Sequence, residues 1–475
     1  MQNADPIWQH VENHQDDLVG LSDRVWGMPE TLYAEFRSCA EHTAMLRDKG
    51  FAVTEEIAGI PTAVLGEAGK GGAVIAILGE YDALPGLSQE ANIAEPRPIE
   101  AGGNGHGCGH NLLGSAALLA ACALKDWLEE TGTPGRVRYY GCPAEEGGAA
   151  KAFMVRDGVF DDVDAAITWH PAGMTRVDEA ASLANTRMDF EFTGRASHAA
   201  AAPHLGRSAL DAAELMNVGV QYLREHIPQE SRIHYAYLDA GGTAPNVVQG
   251  KAKTRYAIRS TSLSGMMALN ERVRRIAEGA ALMTETRVDI SIMSAVSNML
   301  GNIPLEETMQ AAMDTLGGVP FDAADREYAA EIQATLSSED IAANYKSVGL
   351  KARSGEPLCD YVVPLESRGD KMMGSTDVAD VSWAVPTVQA RVATHAIGTP
   401  GHSWQITAQG KAPAAHKGMI HAAKIMGATA RMLFADDNLI ARAKEDHQNR
   451  LTSEPYICPI PDDIRPPLKS RPAAD

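Results

Sequence analysis

The sequence predicts an α/β fold in which a mostly parallel sheet, flanked by helices, carries an inserted ferredoxin-like α+β domain. Three observations lead to this prediction. Short apolar runs alternate with helical patterns in the first part of the chain. Near residue 184 the pattern changes to apolar and polar residues in strict alternation. The length of 475 residues also exceeds what a single hydrophobic core usually supports.

The first 183 residues carry the alternating pattern. Apolar residues at helical spacing predict a first helix over residues 5–26, and a long Ala- and Leu-rich helix is predicted over 111–127. The run AVIAIL at 73–78 lies between glycines and predicts a buried parallel strand. Further strands are predicted over 136–142 and 165–169. Strands separated by helices indicate a mostly parallel sheet with helices on both faces.

A second pattern begins at residue 184. Met188, Phe190 and Phe192 alternate with polar residues, as in a strand with one solvated face. The following elements are predicted in the order helix, strand, strand, helix, strand, at 206–226, 233–238, 252–258, 266–281 and 288–292. This β-α-β-β-α-β order is that of a ferredoxin-like module. We therefore predict an inserted domain over 184–298, within a main domain formed by 1–183 and 299–475.

Composition and charge exclude several classes of protein. A net charge of −20 and an aromatic content of 5% disfavour a nucleic-acid partner. The polar N-terminus does not resemble a signal peptide, and no apolar stretch is long enough to span a membrane. Six scattered cysteines indicate free thiols in a reducing cytoplasm. We expect a soluble cytoplasmic protein that acts on a small molecule.

Side chains of the metal-ligand or acid–base type lie at or near the ends of the predicted strands. They are Asp82, Cys108, His110, Glu145, Glu146 and His170. In open α/β sheets, ligands bind beyond the carboxyl ends of the strands. We therefore expect these six side chains to converge on one site.

The residue types suggest a reaction. Cys108, His110 and His170 are ligands that suit zinc or manganese-like ions, and Glu146 adds a hard oxygen ligand. Two divalent ions roughly 3.5–4 Å apart polarise a carbonyl and generate hydroxide at neutral pH. Glu145 can then carry the proton from water to the leaving amine. The pattern predicts metal-dependent hydrolysis of an amide bond.

Each feature also has a plainer interpretation when it is taken alone. A Cys-x-His pair is commonly structural, and a buried cysteine is a common small core residue. A Glu-Glu pair is commonly a solvated surface, and His170 could be a hydrogen-bonded histidine at a strand end. The metal-site hypothesis depends on their joint occurrence at strand ends of one domain.

Ordered motifs along nearly the whole chain connect it to a known family. They include EYDALP, HGCGHN, PAEEGG, TWHP, SHAAAAPHLGRSALDA, GGTAPNVV, GSTDVADVSW and PGHSWQ. In these motifs the chain resembles the co-catalytic metallopeptidase clan of aminoacylases and glutamate carboxypeptidases. Within that clan it is most similar to the amidohydrolase branch, which includes hydrolases of p-aminobenzoyl-glutamate and of indoleacetyl–amino acid conjugates.

The resemblance implies roles for individual residues. Two divalent ions, Mn²⁺ or Zn²⁺, would be held by five ligands: Cys108, His110, Glu146, His170 and His402. Glu145 would be the general acid–base, with Asp82 as a further catalytic residue. Asn246 and Arg259 would contact the substrate near its carboxylate.

The resemblance also implies a dimer. His198, in the inserted lid domain, matches a histidine that reaches the active site of the partner subunit. The partner would be a second copy of this chain, bound through the inserted domain, or a related subunit.

The sequence departs from the wider clan at two places. The clan has His-x-Asp where this chain has Glu80-Tyr81-Asp82, and it has a bridging aspartate where this chain has His110. A neutral histidine bridges two cations poorly, so either one ion is bound more weakly or Cys108 is the bridge. Asn111 replaces the aspartate usual in this branch, which leaves open what orients His110.

The resemblance favours aromatic acyl-glutamate or acyl-aspartate substrates such as p-aminobenzoyl-glutamate. Hydrolysis of indoleacetyl-amino acids or other N-acyl amino acids is the alternative. Two further classes remain. An aminopeptidase or dipeptidase would need a subsite for a free amine, and a non-catalytic regulatory binding protein would have no need of Glu145 and every metal ligand.

Overall fold

The structure is a computed structural model that describes residues 5–367, 369 and 374–471. Two sheets organise the described residues. Their strands are β1 (Ala52–Glu55), β2 (Val64–Lys70), β3 (Ala73–Glu80), β4 (Gly135–Cys142), β5 (Ala165–Ala172), β6 (Arg176–Val177), β7 (Ala184–Thr193), β8 (Arg232–Asp239), β9 (Lys251–Ser260), β10 (Arg287–Val296) and β11 (Thr387–Ala393).

Helices cover both sheets. Those in the first half of the chain are α1 (Ile7–Trp26), α2 (Phe36–Asp48), α3 (His110–Thr131), α4 (Ala150–Arg156), α5 (Ala209–Leu223) and α6 (Leu263–Met283). Those in the second half are α7 (Ile303–Leu316), α8 (Ala323–Gln333), α9 (Ser338–Ser347), α10 (Val378–Ala384), α11 (Trp404–Gln409), α12 (Pro413–Ala435) and α13 (Asp437–Ser453). Short 3₁₀ turns occur at Ile57–Gly59, Pro203–Leu205 and Arg224–His226.

The main sheet has seven strands in the order β1-β2-β4-β3-β5-β11-β6. The four central strands are mutually parallel, and the outer strands β1, β2 and β6 pair antiparallel to their neighbours. Fully buried residues of β3, such as Ile75 and Ile77, join a core that α1, α3 and α12 cover. The predicted α/β class with a mostly parallel sheet is confirmed.

The register of the central strands fixes where their ends lie. Glu80 at the end of β3 is opposite Cys142 at the end of β4. His170 of β5 is opposite Arg391 of β11. The segments after β3 and β4 therefore leave the sheet at the same edge as the end of β5.

The second sheet has four antiparallel strands in the order β10-β7-β9-β8. With α5 and α6 it gives the predicted β-α-β-β-α-β order of a ferredoxin-like module. Met188, Phe190 and Phe192 are buried with side chains of α5 and α6 in a core of their own. The alternate positions of β7, among them Arg187, therefore face away from these helices.

These four strands lie between Ala184 and Val296, within the predicted range 184–298. The exact domain boundaries, and the division of the main domain into 1–183 and 299–475, stay predictions. Among the described residues, none of the helices combines the length and the apolar character needed to cross a membrane.

Candidate active site

A cavity of about 510 Å³ lies between the two sheets. The main-sheet side contributes acidic and metal-ligand side chains, namely Glu80, Cys108, Glu145, Glu146, His170, Asp377 and His402. The small sheet contributes Asn185, Arg187 and Arg259. The volume is within the roughly 300–1,000 Å³ that is usual for small-molecule sites. One wall is therefore acidic and the other is cationic.

Asp82 connects three of the segments that form the acidic wall. Its Oδ1 accepts a hydrogen bond from Nδ1 of His110 at 2.8 Å, and its Oδ2 accepts one from the backbone N–H of Glu146 at 2.9 Å. Burial would raise the pKa of Asp82, but the adjacent His110 lowers it below its ordinary value. These contacts suit Asp82 to orienting His110 and the loop of Glu146.

Two histidines of the cluster form their hydrogen bonds through the same ring nitrogen, Nδ1. Nδ1 of His110 donates to Asp82, and Nδ1 of His170 donates to the carbonyl of Pro171 at 2.8 Å. In the neutral form of each ring, Nε2 has the lone pair. Although burial opposes it, the charges of Cys108 and Asp82 raise the pKa of His110 well above its ordinary value, so a metal ion would displace a proton there. Cys108 Sγ lies 3.4 Å from Nε2 of His170, so the thiol and the two rings form one cluster.

A backbone contact brings His402 to this cluster. Its N–H donates to the carbonyl of Gly107 at 3.0 Å, next to Cys108. His402 has a φ of 56°, a conformation that non-glycine residues rarely adopt. Its Nε2 lies 3.2 Å from Oε1 of Glu146. The structure therefore brings together all five residues that the resemblance proposed as metal ligands.

Possible ligand atoms form three groups, each within 4.8 Å: Cys108, His110 and His170; Cys108, Glu146 and His402; Glu80, His110 and Glu145. Cys108 and His110 each belong to two groups. A thiolate can be shared by two ions, whereas the one free ring nitrogen of His110 can bind only one. Nε2 of His110 is buried without a hydrogen-bond partner. Such atoms are rare in folded proteins, and a bound cation would satisfy them.

The acidic wall shifts the pKa of its own members. Burial, followed by the charges of Glu80 and Glu146, raises the pKa of Glu145 well above its ordinary value. Hydrogen bonds to Cys108 and Glu146 raise the pKa of His402 to about 10. The acidic neighbours contribute to both shifts, and their negative charge favours the binding of cations here.

A buried lysine compensates part of this charge. Lys151 is completely buried, and its Nζ lies 2.7 Å from Oε1 of Glu80 and 2.6 Å from Oδ1 of Asp377. The second oxygen of Glu80 lies 3.4 Å from Nε2 of His110. Glu80, Lys151 and Asp377 therefore form a buried triad behind the cluster. Lys151 is absent from the predicted site residues, since its only signal in the sequence is its place just after PAEEGG.

The triad gives a stability prediction. We expect Lys151→Met to lower the free energy of unfolding by about 3–5 kcal/mol, because two buried carboxylates lose their cation. Denaturant unfolding of the metal-free protein measures this. Adding Glu80→Gln and Asp377→Asn to Lys151→Met should recover part of the loss.

The matched control for Lys151→Met is Lys251→Met. Lys251 is largely exposed, and its Nζ lies 3.9 Å from Glu191. Its loss should cost at most about 1 kcal/mol. If Lys151→Met costs no more than Lys251→Met, the triad contributes little to stability.

Two further buried polar residues support the loops. Glu35 accepts hydrogen bonds from the backbone N–H groups of Tyr33 and Ala144 at 3.0 and 3.1 Å, and so holds the loop before Glu145. The side-chain amide of Asn111 donates to Ser22 and to the carbonyl of Gly410, and Nδ1 of His110 donates to Asp82 instead. Asp82, and not residue 111, therefore orients His110.

Of the three residues of the small sheet that were expected to act on the substrate, one lies at the cavity and two lie elsewhere. Arg259 lines the cavity, whereas His198 and Asn246 do not. His198 and Asn246 lie together on exposed loops of the small sheet, where the N–H of Ala199 donates to the carbonyl of Asn246 at 2.9 Å. Within one chain, therefore, only Arg259 of these three reaches the cavity.

The fold and the site together define a metallopeptidase-type hydrolase. Residues 76–403 match the peptidase family M20/M25/M40, and the chain belongs to this family. The predicted family resemblance is therefore confirmed. Membership in a peptidase family makes the chain a hydrolase of amide bonds.

Two relatives and one solved structure show which hydrolases this chain is similar to. One of the p-aminobenzoyl-glutamate hydrolase subunits of Escherichia coli (strain K12) is 46% identical over 471 residues, covering 97% of this chain and 98% of the relative. Another subunit of that hydrolase, from the same organism, is 31% identical over 299 residues, covering 59% of this chain and 65% of the relative. A solved dinuclear metal binding peptidase of the M20 family from Bacillus subtilis gives a TM-score of 0.57 at 17% identity, covering 89% of this chain and 99% of that one.

Proposed function

We propose that this protein hydrolyses the amide bond between an aromatic acyl group and an amino acid with a free α-carboxylate. p-Aminobenzoyl-glutamate is the substrate we favour. The observation that carries this proposal is the 46% identity to a p-aminobenzoyl-glutamate hydrolase subunit over nearly the full length of both chains. The two-sided cavity supports it, since ions held by the ligand groups of one wall would attract an amide carbonyl and Arg259 on the other wall would attract a carboxylate.

The proposed cofactor is a pair of divalent ions, Mn²⁺ or Zn²⁺. Cys108, His110, Glu146, His170 and His402 would hold them, and the orphaned Nε2 of His110 supports this assignment. Such ions, when bound, polarise the scissile carbonyl and activate water. The relative from Bacillus subtilis is itself a dinuclear metal binding peptidase.

The protein side chains have separate roles in the proposed reaction. Glu145 takes a proton from the attacking water and delivers it to the leaving nitrogen as the C–N bond breaks. Arg259 holds the α-carboxylate in a two-point contact, with help from Asn246. Since Asn246 does not line the cavity of its own chain, it would act from a partner chain or after closure of the small domain.

Metal dependence is the direct test of this proposal. Chelation is expected to abolish hydrolysis of benzoyl-glutamate, which lacks an amine on its acyl group, and Mn²⁺ or Zn²⁺ should restore it. Cys108→Ser should bind less metal, as measured by elemental analysis. The control Cys458→Ser changes a cysteine that does not line the cavity, and it should leave metal content unchanged. Full activity at zero metal content would exclude the mechanism.

We also propose that the working unit is a dimer formed through the small sheet. Two of the relatives from Escherichia coli are different subunits of one hydrolase. A related chain is therefore a candidate partner, besides a second copy of this chain. A cytoplasmic location remains part of the proposal. It is supported by the six free cysteines of this chain.

A further inference from the structure

Two arginines of the small sheet line the cavity opposite the acidic wall. They are Arg187 on β7 and Arg259 on β9. Asn185 is the direct cross-strand partner of Arg259, and Arg187 lies two residues further along β7. Residues at this spacing share one face of a sheet, so the two guanidinium groups are diagonal neighbours on the face away from α5 and α6.

Neither of these guanidinium groups has a carboxylate partner among the described residues. Arg187 donates to the carbonyl of Gly147 at 3.4 Å, and Arg259 donates to Oγ of Ser375 at 3.4 Å. Nε of Arg259 is buried with no partner. Burial lowers the pKa of both arginines, and for Arg259 the charge of Arg187 adds to this effect.

Other arginines nearby are neutralised, which makes these two distinct. Arg391 also lines the cavity, but its Nε donates to Asp178 at 2.9 Å. Arg255, on the same face of β9, donates twice to Asp189 at 2.7 and 3.0 Å. The chain therefore compensates its other cations here and leaves two without an ion pair. Both residues are half-buried at the cavity wall, where an anionic ligand would pair with guanidinium groups that lack a carboxylate partner.

Glu145 and Glu146 are the acidic residues whose charges reach Arg187, yet neither forms an ion pair with it in the described structure. Both are assigned to the metal and proton-transfer roles in the proposed function. The space beside Gly147 is filled by Arg187, because a Cβ on Gly147 would lie 2.1 Å from its Nη1. The guanidinium group is thus held at the cavity wall, close to the catalytic loop.

We propose that Arg187 binds a second carboxylate of the substrate, while Arg259 binds the α-carboxylate. Arg187 is then the residue that selects an acyl–dicarboxylic amino acid, glutamate or aspartate, over a neutral one. This inference rests on the proposed function and names the feature of the leaving amino acid that the site recognises. Two guanidinium groups side by side match two carboxylates, each in a planar contact.

The test compares benzoyl-glutamate with benzoyl-glutamine, which has the same shape but no second negative charge. Wild-type enzyme should have the higher kcat/KM for the glutamate conjugate. Arg187→Met should lower kcat/KM for benzoyl-glutamate by roughly 10- to 100-fold and leave benzoyl-glutamine nearly unchanged. Arg259→Lys should lower kcat/KM for both substrates alike, because both keep the α-carboxylate. Arg255→Met, the matched control on β9, should preserve the preference.

Several outcomes would overturn the inference. Equal losses for both substrates in Arg187→Met would assign this arginine to the reaction centre or to the loop of Gly147. An unchanged preference would exclude it from substrate recognition. If the wild-type enzyme hydrolyses no acyl–amino acid, the proposed function fails instead. Calorimetric binding of the two conjugates to Glu145→Gln, with and without Arg187→Met, still tests the second-carboxylate site in that case.

Discussion

Glu145→Gln is expected to lower kcat by at least ~10², while the fold and the metal content stay unchanged. The amide keeps the size of the carboxylate but cannot accept the proton of the attacking water. The backbone hydrogen bond from Glu146 to Asp82 does not involve the side chain of Glu145, so the substitution leaves that loop tied to the sheet. Steady-state kinetics and elemental analysis on the same preparation measure both properties.

Glu146→Gln is the matched substitution one residue along the chain. The carboxylate of Glu146 lies in the group with Cys108 and His402, and its Oε1 is 3.2 Å from Nε2 of His402. We therefore expect Glu146→Gln to lose metal, with activity lost as a consequence. Glu145 also lies within ligand distance of Glu80 and His110. Equal metal loss in both variants, with no separate effect on kcat, would assign both glutamates to the metal.

His198→Ala is expected to lower kcat by ~10²–10³, the usual effect of removing one donor to an oxyanion. Nδ1 of His198 accepts hydrogen bonds from the N–H groups of Ala200 and Ala201 at 3.2 and 3.1 Å. The proton of the neutral ring must then be on Nε2, which makes this nitrogen a donor. Since His198 is exposed and does not line the cavity of its own chain, we expect it to act on a partner's substrate.

The small sheet offers a surface for that partner. β8 is an edge strand with the exposed residues Tyr235 and Leu238, and another strand can extend such an edge. On α5, Val218 and Tyr222 are also exposed. Tyr237 of β8 accepts a hydrogen bond from Asn217 of α5, which places this helix beside the edge. These exposed apolar residues are the surface on which the proposed partner would pack.

Complementation tests whether His198 acts across the two chains of the proposed dimer. Inactive His198→Ala mixed with inactive Glu145→Gln should regain partial activity, because a mixed dimer contains one site with both groups intact. His204→Ala, which changes another exposed histidine of the same segment, should stay active alone. If exchange of tagged chains is demonstrated and no activity returns, His198 acts within its own chain or not at all.

The sequence by itself determined the main sheet and the acidic wall of the site. Apolar runs such as 73–78 predict strands that are buried on both faces of the sheet, as is typical of parallel strands. The polar residues directly after these runs must emerge at one edge, so Asp82, Glu145 and His170 could be placed together from their positions alone. The structure brings these three side chains to the cavity or to the residues that line it.

Tertiary structure alone decided the rest of the site. Lys151 and Asp377 are separated by 226 positions and meet only because α4 packs beside the segment before α10. The side chain of Asn111 donates a hydrogen bond to Ser22 of α1, a residue distant in the sequence. Arg187 lies diagonally beside Arg259 because of the antiparallel register of β7 and β9. No local pattern encodes such contacts, because register and packing depend on residues that are distant in the sequence.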